Sequence, residues 1–172
     1  RLCAMQHAGG AAYAIGLDEA TGIAISGGVG TVFGSGTVTV LDNRDAAYKG
    51  TDTHFAVSGL RVSLLSAGDQ FNFSNGCMLP AASKSAVSGS AETEQPEDLL
   101  AANSAQTRAL LTFARSADPS ARYTVSAEGD PFTLTLQKEE DFAVFSSEKT
   151  YAASALSDLP QTAAGGLLLD IE

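Results

Sequence analysis

The pair Asp18-Glu19 closes an apolar stretch, Tyr13-Ala14-Ile15-Gly16-Leu17, and leads into Ala20-Thr21-Gly22. A carboxylate sited where a strand gives way to a loop can be aimed into a cleft at the carboxyl edge of a sheet and serve catalysis there. The same pair also reads as a solvated turn between strands, because acidic residues are ordinary turn formers. Asp18 and Thr21 are expected to support that turn through backbone hydrogen bonds rather than to move protons. Arg1 could hold a carboxylate with its two-pronged guanidinium, or be an ordinary exposed helix arginine. His7, in a short helix before the first strand, and His54, after a Thr/Asp/Lys-rich loop, read as surface or capping residues rather than bases.

Other chemistry is poorly provided for. Cys3 and Cys77 have neither zinc spacing nor a redox motif. They are open to a disulfide in an oxidising compartment, but two cysteines this far apart read more simply as free, buried small apolar residues. The acidic residues lack EF-hand spacing and no Cys/His cluster is present, so neither a metal nor a cofactor is expected. Gly28-Val29-Gly30-Thr31-Val32-Phe33 starts like a dinucleotide loop but carries Phe where the third Gly belongs. It opens a strand, not a helix, so no helix terminus is offered to a phosphate.

The elements that must position these residues fall into two groups. From 11 to 76 the chain is rich in β-branched and small residues, with strands expected at Tyr13 to Leu17, Thr21 to Ser26, Thr31 to Phe33, Thr37 to Leu41 and Gly59 to Leu65. Val38 and Val40 alternate with Thr37, Thr39 and Leu41, the pattern of a strand covered mainly on one face. From Pro80 to Gln95 large apolar residues almost vanish, which reads as a surface linker at 80–95. Pro96-Glu97-Asp98 suits the first turn of a helix whose stripe takes in Leu99, Leu100, Asn103, Thr107, Leu110, Leu111 and Ala114, with Arg115 complementing the dipole at its end. Arg122 to Ala127 and Phe132 to Gln137 then alternate around Glu128-Gly129-Asp130-Pro131 as a hairpin. Phe142 to Phe145 and Leu167 to Ile171 are further short strands, so that 96–172 reads as a small α+β subdomain following a β-rich unit at 1–79.

At 172 residues, 44% hydrophobic and 17% charged, the chain can bury a substantial core. Its formal net charge of −10 and pI near 4.5 repel a phosphate backbone, which argues against nucleic acid and favours a cationic partner. No apolar run approaches the ~20 residues of a membrane helix, and no signal-peptide pattern opens the chain. Because the first residue is Arg and residues 1 to 5 read as mid-helix, the chain is expected to be the C-terminal portion of a longer protein. That leaves localisation open between cytoplasmic and secreted.

Three blocks, in order, carry a resemblance. Ala14-Ile15-Gly16-Leu17-Asp18-Glu19, Gly34-Ser35-Gly36 running into Thr37-Val38-Thr39-Val40-Leu41-Asp42, and Gly59 to Leu65 followed by Gly68-Asp69-Gln70-Phe71 together resemble the C-terminal part of cyanophycinase-type serine peptidases. The likeness spans about the first 76 residues and departs from the family at Ala14, where Gly is usual. It implies an α/β fold: the C-terminal β-rich part of a sandwich like that of class I glutamine amidotransferases, with 96–172 as an appendage. It also implies peptide hydrolysis through an acyl-enzyme, with cyanophycin or a related aspartyl peptide as substrate. Cyanophycin carries an Arg on each aspartate side chain, which suits the acidic charge.

In that family a Ser nucleophile is activated by a His base, and a Glu orients the His. Glu19 matches the Glu, whose charge fixes the imidazole tautomer and balances the imidazolium. Arg1-Leu2 resembles the end of the family's His-Phe-arginine segment, making Arg1 a substrate-binding candidate. The Ser and the His would both lie upstream, so this segment alone is expected to be inactive. The partners implied are a peptide substrate and no nucleic acid or membrane, with a homodimer left open. The alternative is a non-catalytic β-rich binding or surface module in which Glu19 is a turn residue.

Overall fold

The computed structural model describes residues 8–49, 55–89, 99, 105–125, 131–152 and 154–172. Arg1, Cys3, His7 and His54 lie outside the described residues, as do the expected helix start at Pro96 and most of the hairpin turn. The fold is predominantly β: two antiparallel sheets and, among the described residues, one α-helix of any length.

The first strands follow the sequence pattern closely at β1 (Tyr13–Leu17), β2 (Thr21–Ser26), β3 (Val29–Gly34) and β4 (Val38–Asp42), and again, after a two-residue strand the pattern did not mark, β5 (Ala47–Tyr48), at β6 (Val57–Leu65). They continue with β7 (Gln70–Asn72), β8 (Cys77–Leu79) and β9 (Ser85–Ala86), then helix α1 (Ala105–Arg115). The chain ends with β10 (Ser120–Val125), β11 (Phe132–Thr150), a 3₁₀ turn (Ser154–Leu156) and β12 (Pro160–Ile171). The larger sheet has eight strands, ordered β1-β4-β6-β12-β11-β10, with β5 beside β6 and β9 beside β11; the smaller has four, ordered β2-β3-β7-β8.

The large sheet is the middle layer. Alternation along β4 sends Val38 and Val40 to one face and Leu41 to the other. Val38 and Val40 join Val32, Leu65 and Phe71 beneath the small sheet, whereas Leu41 joins Leu60, Val62, Leu64, Phe113, Tyr151 and Leu167 on the face that carries α1. β4 is therefore buried on both faces, unlike the half-covered strand its pattern suggested. At about 1.5–3 kcal/mol per fully buried large side chain, both seams contribute to holding the layers together. Tyr13 at the start of β1 packs edge-on against Phe71 and Phe73, with ring centroids 5.7 and 5.3 Å away. That contact ties the strand leading to Asp18-Glu19 to the small sheet.

The strands after residue 96 extend the sheet built before residue 79. β12 pairs with β6, Leu168 opposite Arg61 and Leu169 opposite Leu60, so the stretches 1–79 and 96–172 share one sheet and one core. Within 80–95, Lys84 is buried and Ser85 and Ala86 pair with Ser146 and Phe145; at these residues the chain is core and sheet, not surface linker. The hairpin forms as its alternation implies, Val125 opposite Phe132 and Ser120 opposite Gln137. Phe132 to Gln137 and Phe142 to Phe145, read as two strands, are one long strand with irregular pairing between Lys138 and Ala143, an offset that a bulge absorbs without ending the strand. α1 buries Ala109, Leu111, Thr112, Phe113 and Ala114, a broader face than the stripe implied.

Candidate functional site

The Asp18-Glu19 turn and the Gly34-Ser35-Gly36 turn, fifteen or more residues apart in sequence, form one unit. β1 pairs with β4, Leu17 opposite Val38, and the Asp18 amide extends the ladder by donating to the Thr37 carbonyl at 3.0 Å. The Asp18 carboxylate reciprocates: Oδ2 accepts the Thr37 amide at 3.1 Å. Thr21 locks the far side, its Oγ1 accepting the Gly36 amide at 2.7 Å and donating to the Glu19 carbonyl at 3.1 Å. Asp18 and Thr21 thus do what their sequence suggested.

The glycines are required by the closeness of the two turns. A Cβ on Gly34, whose φ is +112°, would lie 2.3 Å from the Ala20 carbonyl oxygen, and one on Gly36 would lie 2.7 Å from Asp18 Cβ and 2.8 Å from Thr21 Oγ1. Ala20 itself adopts a left-handed backbone, φ +53°, a conformation that costs a non-glycine residue on the order of 1 kcal/mol. The Ser35 amide, donating to the Ala20 carbonyl at 3.2 Å, helps hold it there. Glu19 is presented at the tip of this clamped turn, exposed to solvent. Among the described residues its carboxylate makes no hydrogen bond or ion pair, so it is free to accept one from a partner.

A third hold comes from the helix face. Thr107 on α1 donates to Asp18 Oδ1 at 3.4 Å, joining residues 89 positions apart. The sequence reading placed Thr107 on the helix stripe but assigned it no role, since nothing in a helical period marks which loop a hydroxyl will reach.

The third sequence block, Gly68-Asp69-Gln70-Phe71, turns Asp69 and Phe71 into the interior while Gly68 stays exposed. Asp69 is fully buried, and its Oδ2 accepts the Ser66 amide at 2.7 Å while Oδ1 accepts the Ala81 amide at 2.8 Å. Lys84 closes the arrangement with a very short contact to Asp69 Oδ2 and a 2.6 Å hydrogen bond to Ser66 Oγ. Burial pushes the Lys84 ammonium below its ordinary pKa, and the neighbouring Asp69 carboxylate pulls it partly back. With side chains 1% and 0% exposed, this cluster fixes the β6–β7 connection and the strand after it; no substrate can reach it. The run Pro80-Ala81-Ala82-Ser83-Lys84 carries no hydrophobic signal, so the burial of Lys84 was not legible.

Cys77 is free and exposed, not the buried apolar residue expected. It stands beside a cleft of about 440 Å³ whose walls include Asp42, Arg61, Met78, Asp141 and Gly165. Arg61 is held there by Glu139 at 2.7 Å and Asp141 at 3.5 Å. Among the described residues no group of His, Cys, Asp and Glu side chains is arranged to hold a metal ion, and no helix is long and apolar enough to cross a membrane. No protein-family model, curated protein or solved structure matches this chain.

Proposed function

We propose that this chain is the C-terminal, acid-bearing portion of a cyanophycinase-like serine peptidase. The single observation that supports the reading best is the docking of the first two sequence blocks on each other. Gly34 and Gly36 leave room for the Asp18-to-Thr21 turn, and that turn holds out a solvent-facing Glu19 carboxylate with no partner among the described residues. Such a group is suited to orient an imidazole and to balance the charge the imidazole gains when it takes a proton from a serine hydroxyl. On this reading the serine and the histidine come from upstream sequence, in a sandwich like that of the glutamine amidotransferases, and the two antiparallel sheets are its C-terminal part. Arg1 would clamp a substrate carboxylate, and the substrate would be cyanophycin or a related aspartyl peptide, whose arginines suit a chain of net charge −10.

The test is to express the full-length open reading frame and follow release of Asp-Arg dipeptides from cyanophycin by mass spectrometry. Release is the expected result. Absence of release from folded protein, together with an upstream sequence lacking a serine elbow and a His-Phe-arginine segment, refutes it.

A second reading, a non-catalytic β-rich binding module, draws on a different observation. Leu17, Ile25, Phe33 and Leu79 are each more than half exposed, and three of them lie on strands of the small sheet. Exposed apolar side chains gathered on one sheet are a feature of docking surfaces. The same upstream sequence and the same dipeptide assay separate the two readings.

A further inference from the structure

We infer that Thr107 of α1 is a positioning residue for Glu19, and that residues 105–115 thereby serve the acid-bearing turn; this rests on the hydrolase reading above. Asp18 immediately precedes Glu19, and its carboxylate is held on two sides, by the Thr37 amide at Oδ2 and by the Thr107 hydroxyl at Oδ1. The residue just before β4 supplies the first hold and α1 the second. Of the hydroxyls on this helix, that of Thr112 is spent on its own helix, donating to the Arg108 and Ala109 carbonyls, while that of Thr107 reaches outward.

The helix is itself anchored next to Thr107. Arg108 forms a two-pronged pair with Asp158, at 2.8 and 2.5 Å, and donates to the Ala155 carbonyl at 3.3 Å. Phe113 and Ala114 are fully buried one to two turns further on. A hydroxyl fixed to so firm an element restrains the Asp18 carboxylate in a way a loop residue could not. Without it, Oδ1 is released, the carboxylate can rotate about its own axis, and the bond to the Thr37 amide loosens. The Glu19 carboxylate, one residue on, then samples a wider arc. Orienting groups must hold position within about 0.5 Å, and misplacement by about 1 Å can cost on the order of 10²-fold in rate. Loss of one long hydrogen bond behind the acid should cost a fraction of that, roughly 3- to 10-fold in kcat.

The experiment compares Thr107→Val and Thr107→Ser in the full-length protein, alone and combined with Glu19→Gln, measuring kcat and KM on cyanophycin and hydrogen exchange at the Thr37 amide. Valine keeps the shape and removes the hydroxyl; serine keeps the hydroxyl. The expected result has four parts: Thr107→Val lowers kcat about 3- to 10-fold with KM unchanged, Thr107→Ser restores it, Thr107→Val adds no further loss in the Glu19→Gln background, and Thr37 amide exchange quickens with valine but not with serine. An impaired Glu19→Gln enzyme beside a Thr107→Val enzyme at full turnover overturns the Thr107 inference alone. So does an equal loss from Thr107→Val in both backgrounds, which would make the effect general rather than routed through Glu19. Glu19→Gln at full turnover overturns the hydrolase reading of Glu19 and this inference with it. Should the protein hydrolyse nothing, unchanged Thr37 exchange in Thr107→Val still refutes the anchor.

Discussion

Replacing Lys84 with Met removes one half of a buried ion pair while keeping most of the side-chain volume. Lys84 and Asp69 have side chains 1% and 0% exposed, so water cannot take over the lost charge. Asp69 would keep the Ser66 and Ala81 amides but lose its only counter-charge among the described residues. Breaking a buried pair in this way costs about 3–5 kcal/mol, whereas an exposed pair is worth about 0–1 kcal/mol. Urea unfolding of Lys84→Met should therefore show a loss of about 3–5 kcal/mol.

Adding Asp69→Asn to that variant gives the sharper comparison. Asparagine carries no charge but keeps one acceptor oxygen for the two backbone amides that Asp69 accepts, its NH2 facing the other donor, so the double variant should recover only part of the loss, less than about 2 kcal/mol. A Lys84→Met cost below about 1 kcal/mol would refute the assignment of this cluster as a charge-balanced internal clamp.

Two further outcomes follow from single contacts. Gly34→Ala forces a Cβ to 2.3 Å from the Ala20 carbonyl at φ +112°; it should cost about 1–3 kcal/mol in thermal or urea unfolding and abolish hydrolysis in the full-length protein, while Gly9→Ala, with nothing among the described residues within 4 Å of its Cβ, should do neither. Burial, aided by the charge of Asp118, raises the Tyr123 phenol to about 12. The unfolded phenol ionises near pH 10, so the unfolded state sheds this proton first. Stability from this group is complete below pH 10 and falls as the pH rises from 10 to 12, a decline that Tyr123→Phe should abolish in urea titrations across that range.

The strands were legible where burial obeys a short period. β1, β2, β4 and the β10–β11 hairpin declared themselves through alternation and glycine-bounded ends, and the Asp18 and Thr21 turn bonds followed from side chains that cap their own neighbourhood. The pairing of β12 with β6 was not legible: the partners are about a hundred residues apart, and strand alternation reports which face is buried but not which neighbour provides the hydrogen bonds. A composition break at 80–95 suggested a boundary, yet Lys84 turns inward there because one buried carboxylate can hold a lysine that hydropathy assigns to the surface. Thr107 was hidden for the same reason, its role being set by tertiary contact with Asp18. Glu19 stood out by its strand-end position, a place that fits a solvated turn as well, and was singled out as a triad acid by the resemblance of its block; the structure adds only the glycine clearance that shapes its turn.

The most direct test of the central claim is turnover of cyanophycin by the full-length Glu19→Gln protein, with its fold verified by unfolding at the wild-type midpoint. On the proposed hydrolase reading glutamine preserves size and removes the charge that would balance an imidazolium, so kcat should fall on the order of 10²-fold or more. Wild-type turnover by this variant would contradict the account and return Glu19 to the status of a solvated turn residue.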